Sequence, residues 1–210
     1  MERFWYAIAG CVAVMFCSGS ARHAAAANDF NKPVEYAPIH VEKLIPEEVS
    51  TERLKSGLSV VYFLDYFERN LDAIPNPGES GYQSVKGRPI LELDHQFGTD
   101  EVFDSGASRG VAMRMTGYLH IAETGDYQFQ ALSNDGVRVL LGGEIIVDDA
   151  EQHSDRLSNI GYAVLDEPGY YPLVIEYFQR KGTAALKLLW KTPGAGDFVP
   201  IPQNGYVHLD

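Results

Sequence analysis

Tyr127-Gln128-Phe129-Gln130-Ala131-Leu132-Ser133-Asn134-Asp135-Gly136-Val137-Arg138-Val139-Leu140-Leu141-Gly142-Gly143-Glu144-Ile145-Ile146-Val147-Asp148 decides the fold class. Tyr127, Phe129 and Ala131 alternate with Gln128 and Gln130, and after a polar turn Val137, Val139 and Leu141 resume the same period of two. That period puts successive side chains on opposite faces, so each half predicts a half-buried strand and not a helix. Gly142-Gly143 between two apolar runs predicts a two-residue hairpin, because both central residues of a type I′ turn take positive φ. Ser133-Asn134-Asp135-Gly136 is a turn sequence in its own right. Gly136 is expected to supply positive φ, and Asn or Asp can bond the local backbone.

The same texture extends in both directions. In Arg109–Ile121 the apolar residues Val111, Met113, Met115, Leu119 and Ile121 share one face, opposite Arg114, Thr116 and His120. Leu58 to Phe63 is β-branched and aromatic; Leu173, Ile175 and Tyr177 alternate, as do Leu186, Leu188 and Trp190. Many short strands separated by turn signals predict one antiparallel β-sandwich or barrel. Asn70 to Pro89, rich in Gly, Pro and Asn, is expected as loop. Residues 28–56 carry Pro33, Pro38 and Pro46 without sustained periodicity and are expected as an N-terminal extension with one short helix around Glu47 to Lys55. The β domain is then 57–210.

Residues 1–27 have the order of a secretory signal: Met1-Glu2-Arg3, an apolar run from Phe4 to Cys17, small polar residues, then alanines from Ala24 to Ala27. The run is shorter than the roughly 20 residues of a membrane span. Cleavage is expected after Ala26 or Ala27. Ile8-Ala9-Gly10-Cys11 has the residue types of a lipoprotein box, but the apolar run continues past it, which favours plain cleavage. The expected destination is outside the cytoplasm: periplasm, cell surface or medium of a bacterium. Cys11 and Cys17 both fall in the leader, so the mature domain has no disulfide or thiolate site and must stabilise itself by burial.

Of 17 basic and 29 acidic residues, the leader holds Arg3, Arg22 and Glu2, which leaves 15 against 28 and a net charge near −13. Such a surface repels phosphate backbones, which argues against nucleic acid as a partner. It is compatible with a cation such as calcium.

The order of motifs is more specific than any one of them. Gly125-Asp126-Tyr127 opens a strand, Ser133-Asn134-Asp135-Gly136 turns it, and the Gly-Gly hairpin ends in Val147-Asp148. Gly169-Tyr170-Tyr171-Pro172 leads to Glu176-Tyr177, then Leu186-x-Leu188-x-Trp190 and Pro193-Gly194. From Gly57 to His208 this succession resembles the anthrax protective-antigen (PA-fourteen) domain family. The resemblance implies an all-β, antiparallel sandwich or barrel found in bacterial toxins, glycosidases and adhesins, usually as a sugar-binding or accessory module. In its fungal adhesin members two adjacent aspartates joined by a cis peptide, with an Asn from a later loop, bind a calcium ion that in turn holds sugar hydroxyls. Here the pair falls on Asn134-Asp135 and the later loop on Gln179, with backbone carbonyls near Lys181 and Thr183. Calcium takes six to eight oxygens in irregular geometry. Asn134 and Gln179 offer neutral oxygens, leaving Asp135 as the one carboxylate. A turn-only and a ligand-binding reading both stand open at this point.

Asp148, Asp149 and His153, with Asp155 and Arg156, form a second cluster. It is a secondary metal candidate, read first as a solvated loop in which Asp155 pairs with Arg156. Gly106-Ala107-Ser108-Arg109-Gly110 matches a nucleophile elbow, with His208 a formal triad partner, but an elbow joins a strand to a helix and here a strand follows. Tyr82 and Tyr162 are the aromatics nominated for stacking on a pyranose, since aromatic rings bury much area at little entropic cost. The expectation is an exported, non-catalytic, lectin-like module for a glycan or cell-wall polysaccharide, assisted by calcium. The alternative is a structural or protein-interaction domain of the cell envelope that has lost its ligand. A hydrolase using Ser108 or the Asp/His cluster ranks last.

Overall fold

Strand-forming segments alternate with tight turns from Ile39 to the end of the chain. The computed structural model describes residues 36–76, 79 and 81–210; the leader, both cysteines and the first part of the extension lie outside the described residues. The strands are β1 (Ile39–Val41), β2 (Leu54–Ser56), β3 (Ser59–Leu64), β4 (Ser84–Lys86) and β5 (Asp94–Gly98). Then follow β6 (Val111–Ile121), β7 (Gly125–Asn134), β8 (Val137–Leu141), β9 (Glu144–Asp149) and β10 (Arg156–Leu157). The last five are β11 (Gly161–Leu165), β12 (Gly169–Gln179), β13 (Ala184–Lys191), β14 (Val199–Pro200) and β15 (Tyr206–Leu209). Among the described residues the only helical pieces are three-residue 3₁₀ turns.

Two sheets result. One runs β1-β11-β7-β13-β14, with β10 on β7 and β5 on β13; the other runs β2-β15-β6-β12-β8-β9, with β3 on β6 and β4 on β3. All ladders are antiparallel except β1–β11. The all-β, antiparallel-rich architecture read from the alternation is the one observed. The hairpin holds as well: Gly142 and Gly143 take φ of 60° and 88° between β8 and β9.

The alternating apolar residues meet in one core. Tyr62, Met113, Met115, Tyr171, Tyr177 and Tyr206 from the second sheet face Tyr127, Phe129, Ala131, Leu186 and Leu188 from the first, all buried. The opposite face of the second sheet is buried at one end too. Phe63, Ala112 and Phe178 lie in register across β3, β6 and β12, covered by Phe67, Leu71 and Ile74 of the segment after β3. A row of charges lies beside them in the same register: Arg114, Glu176, Arg138 and Asp148 on four successive strands. Arg114 Nη2 is 2.6 Å from Glu176 Oε1 and Arg138 Nε is 2.9 Å from Asp148 Oδ1. The row also grips the covering segment, through Arg138 Nη1 to Asp72 Oδ1 at 3.0 Å and Arg114 Nη1 to the Pro75 carbonyl at 3.3 Å.

Three local expectations change. The helix expected around Glu47 to Lys55 is a bridge at Glu47, a 3₁₀ turn at Thr51–Arg53 and the strand β2. No side chain caps the turn, and the free edge of β15 supplies backbone partners that a short helix would lack. Residues 36–56, read as an extension, thus contribute β1 and β2 to the two sheets. The described residues of the segment Asn70 to Pro89 are mostly irregular but include β4, paired with β3. Finally, Gly136 does not take positive φ. A Cβ there would come within 2.6 Å of both the Ala150 carbonyl oxygen and Phe178 Cε1, so space and not dihedral freedom requires glycine.

Candidate functional site

Strands β7 and β12 end together, and β13 begins there, so the turn 134–136 faces the loop 180–183 at one end of the sandwich. Asp135 donates its amide to the Phe178 carbonyl at 3.1 Å, and Phe178 donates to the Gly136 carbonyl at 3.1 Å. The Arg180 amide donates to Asp135 Oδ2 at 2.8 Å, and the Tyr177 hydroxyl donates to the Asn134 carbonyl at 2.6 Å. Asn134 Nδ2 donates to Asp155 Oδ1 at 2.7 Å and to Thr183 Oγ1 at 3.2 Å. The Asn134–Asp135 peptide bond is cis. Both side chains are nearly buried, yet they line an open cleft of about 700 Å³ whose other walls include Arg69, Gln152, His153 and Lys181.

Burial raises the Asp135 pKa, against the opposing pull of the Arg180 amide and the nearby His153. Asp149, opposite Val137 on the next strand, behaves oppositely. Burial pushes it up, but contacts with His153, Arg156 and Tyr36 outweigh that and bring it down to about 2. Arg156 donates to both its oxygens, Nε at 2.9 Å and Nη2 to Oδ1, and Tyr36 Oη donates at 2.9 Å. His153 Nε2 lies 3.2 Å from Asp149 Oδ2 but outside hydrogen-bonding geometry.

Five buried side-chain polar atoms lack a hydrogen-bond partner among the described residues. Of these, Gln152 Oε1 and His153 Nε2 belong to residues that line the cleft, His153 with Asp149 beside it, and Gln179 Oε1 lies behind its Gly182 wall. Native interiors leave few such atoms, and each calls for an explanation such as a water, an ion or local strain. Their position beside the Asn134–Asp135 turn makes this cleft the candidate site.

Residues 54–204 match the family described as PA14 domain. The chain belongs to the PA14 domain family. The PA14 domain of the MpAFP antifreeze protein superposes with a TM-score of 0.61 at 12% identity, covering 78% of this chain and 96% of that one. The A domain of epithelial adhesin 9 from Candida glabrata, solved with Galb1-3GlcNAc, gives 0.57 at 14% identity, covering 83% and 97%. Anti-sigma-I factor RsgI3 of Acetivibrio thermocellus is 26% identical over 118 residues, 54% of this chain. The chain spans 17% of the length of that curated relative.

Within this PA14 domain the nominated residues separate. Asn134 and Asp135 line the cleft. Gln179 is fully buried behind Gly182, whose carbonyl accepts from its Nε2 at 3.3 Å, and its Oε1 has no partner. Tyr82 lines a different hollow with Tyr66 and Asn76. Tyr162 is not near the cleft: it pairs with Gln128 on β7, six residues or about 20 Å from Asn134 at the strand rise. There it stacks on His40 at 4.5 Å.

The side chains of the secondary cluster diverge. Asp148 and Asp149 point to opposite faces of β9, one to Arg138 and the other to Arg156. Among the described residues no three His, Cys, Asp or Glu side chains converge as a metal site. Asp155 bonds Asn134 and not Arg156. Ser108 precedes a strand, and Val207, beside His208, pairs with Tyr118, seven residues or about 24 Å along β6 from Val111. The elbow geometry is absent there.

Arg69 and Gln152 were not legible as site residues. Their backbones pair across the cleft wall, with the Gln152 amide donating to the Arg69 carbonyl at 3.0 Å. No local motif announces this contact between segments 83 residues apart in sequence. Lys181, foreseen for its carbonyl, also sets its ammonium 5.9 Å over the Tyr66 ring.

Proposed function

We propose that this PA14 domain is an exported, non-catalytic carbohydrate-binding module that takes a glycan or cell-wall polysaccharide in the Asn134–Asp135 cleft. The unpartnered buried polar atoms at that cleft carry the reading. Sugar hydroxyls donate and accept, and so meet a mixed set of orphaned oxygens and nitrogens better than an apolar ligand does. The structural relative with a bound galactosyl disaccharide supports the same class. Export rests on the leader at 1–27. Among the described residues no helix is long and apolar enough to cross a membrane.

Calcium is the implied helper. Asn134 commits Nδ2 to Asp155 and Thr183, which leaves its Oδ1 for a ligand. Asp135 supplies a carboxylate, and the Oε1 atoms of Gln152 and Gln179 are buried acceptors without donors. Amide and carboxylate oxygens are the donor types that calcium takes. With one carboxylate in the set, affinity belongs at the weak end, about 10⁻⁴–10⁻³ M. When bound, the ion would orient vicinal hydroxyls; Asp135 and Asn134 would hold it.

A glycan array run with calcium and again with chelator tests the reading, using the wild type and Asp135→Ala. Binding that the variant loses is the expected result. Silence on the whole array under both conditions overturns it. The single carboxylate also favours a second reading, an envelope interaction domain without a sugar ligand. That reading predicts no thermal shift with calcium or sugar and a stoichiometric protein partner.

A further inference from the structure

We infer that the domain has a second ligand site, for a neutral pyranose unit, in the cleft lined by Phe103 at the lateral edge of the sandwich. This cleft holds about 640 Å³ between the segment 88–92 and the start of β5. It goes beyond the calcium-assisted reading and needs no metal.

Phe103 is the one non-glycine described residue in left-handed backbone, with φ of 51°. A bulky side chain avoids that region, and such outliers persist where surrounding structure requires the direction they impose. The ring is held in edge-to-face contact with His95 at 4.7 Å and with Phe97 at 4.9 Å. Leu91 adds an exposed apolar surface to the same wall.

Two planar hydrogen-bonding pairs line the cleft with it. Arg88 Nε donates to Asp104 Oδ2 at 3.2 Å, and Tyr62 holds the other oxygen at 2.7 Å. Gln203 Nε2 donates to Glu92 Oε2 at 3.1 Å. Another of the unpartnered buried polar atoms is Tyr206 Oη, and the Glu92 carboxylate adds to the burial that keeps that hydroxyl protonated.

An aromatic face with a leucine suits the C–H face of a pyranose, and fixed carboxylate, amide and guanidinium groups suit its ring hydroxyls. One cation against two carboxylates disfavours an anionic sugar. Leu186 pairs with Ser133, next to Asn134, on one side and with His95 on the other, so two strand spacings, about 10 Å, separate those two backbones.

The experiment is an array of uncharged glycans probed in chelator and in calcium with four proteins: wild type, Asp135→Ala, Phe103→Ala and Leu91→Ser. Asp135→Ala is expected to keep a set of neutral glycans, and Phe103→Ala and Leu91→Ser to bind that set at least tenfold more weakly. Leu91 is 46% exposed, so its replacement tests the site even if Phe103→Ala does not fold. Loss of all binding in Asp135→Ala, with Leu91→Ser like the wild type, overturns the second site and leaves the first. Loss in Leu91→Ser alone overturns the first and leaves the second. A wild type that binds no neutral glycan overturns the second site, and the first falls with it only if the whole array is silent.

Discussion

The Tyr177 hydroxyl donates to the main-chain carbonyl of Asn134 at 2.6 Å, from a side chain that is fully buried. Burial pushes this phenol well above its ordinary range, so it is a donor at neutral pH. The core of the sandwich therefore reaches up to the backbone of the cleft turn and fixes it.

Tyr177→Phe removes that donor and leaves the Asn134 carbonyl without it. The expected loss of stability is about 1–3 kcal/mol, the cost of an unsatisfied buried polar group. Urea unfolding with an unchanged slope would report it. A loss below a few tenths of a kcal/mol would show that water replaces the hydroxyl.

Asp149→Ala removes a buried carboxylate from the partly exposed Arg156 and from the Tyr36 hydroxyl. The expected cost is about 1–3 kcal/mol at neutral pH. The folded carboxyl lies at about 2, below its ordinary 3.8. The stabilisation is therefore complete above pH 3.8 and is lost as pH falls through about 2. Urea melts at pH 6 should separate wild type from variant, and the gap should narrow as the pH approaches 2. A constant gap would assign the effect to packing.

Asp135 carries the opposite sign. Its pKa is raised by burial, so its contribution is full below pH 3.8 and declines as pH rises through the folded value. Asp135→Asn keeps an acceptor for the Arg180 amide and loses the charge. It should melt higher than the wild type at pH 7, melt with it near pH 3, and bind glycan more weakly. Calorimetry at the two pH values checks the first part. A lower melting temperature at pH 7 would mean that the charge is satisfied in the free protein.

Gly136→Ala should destabilise by about 1–3 kcal/mol through overpacking against Ala150 and Phe178. Gly143→Ala, with nothing within 4 Å of its Cβ but φ of 88°, should cost about 1 kcal/mol through backbone strain alone. Thermal melts of the pair separate space from dihedral freedom. Equal losses would sink that distinction.

Much of this molecule could be read along the chain because its signals are local. Alternation in Val111–Ile121 and Tyr127–Ala131 names the buried face, since a strand's neighbours i and i+2 share one side whatever the strand packs against. Gly142-Gly143 names its hairpin for the same reason, a dihedral demand made by two adjacent residues. The family emerged from the order of such signals, and Asn134-Asp135 was found because it stands inside one of them.

What the folded chain alone decided is which distant residues share a wall. The 3₁₀ turn at Thr51–Arg53 and strand β2 replaced a helix because β15, some 150 residues away, offered an edge. Gly136 is glycine because Phe178 and Ala150 arrive beside it, and Gln152 joins Asp135 at one cleft because the segment after β3 crosses the sheet there. Phe103 shows its left-handed backbone only in three dimensions. Local order follows from period and dihedral; a site follows from contact between remote segments, which no period encodes.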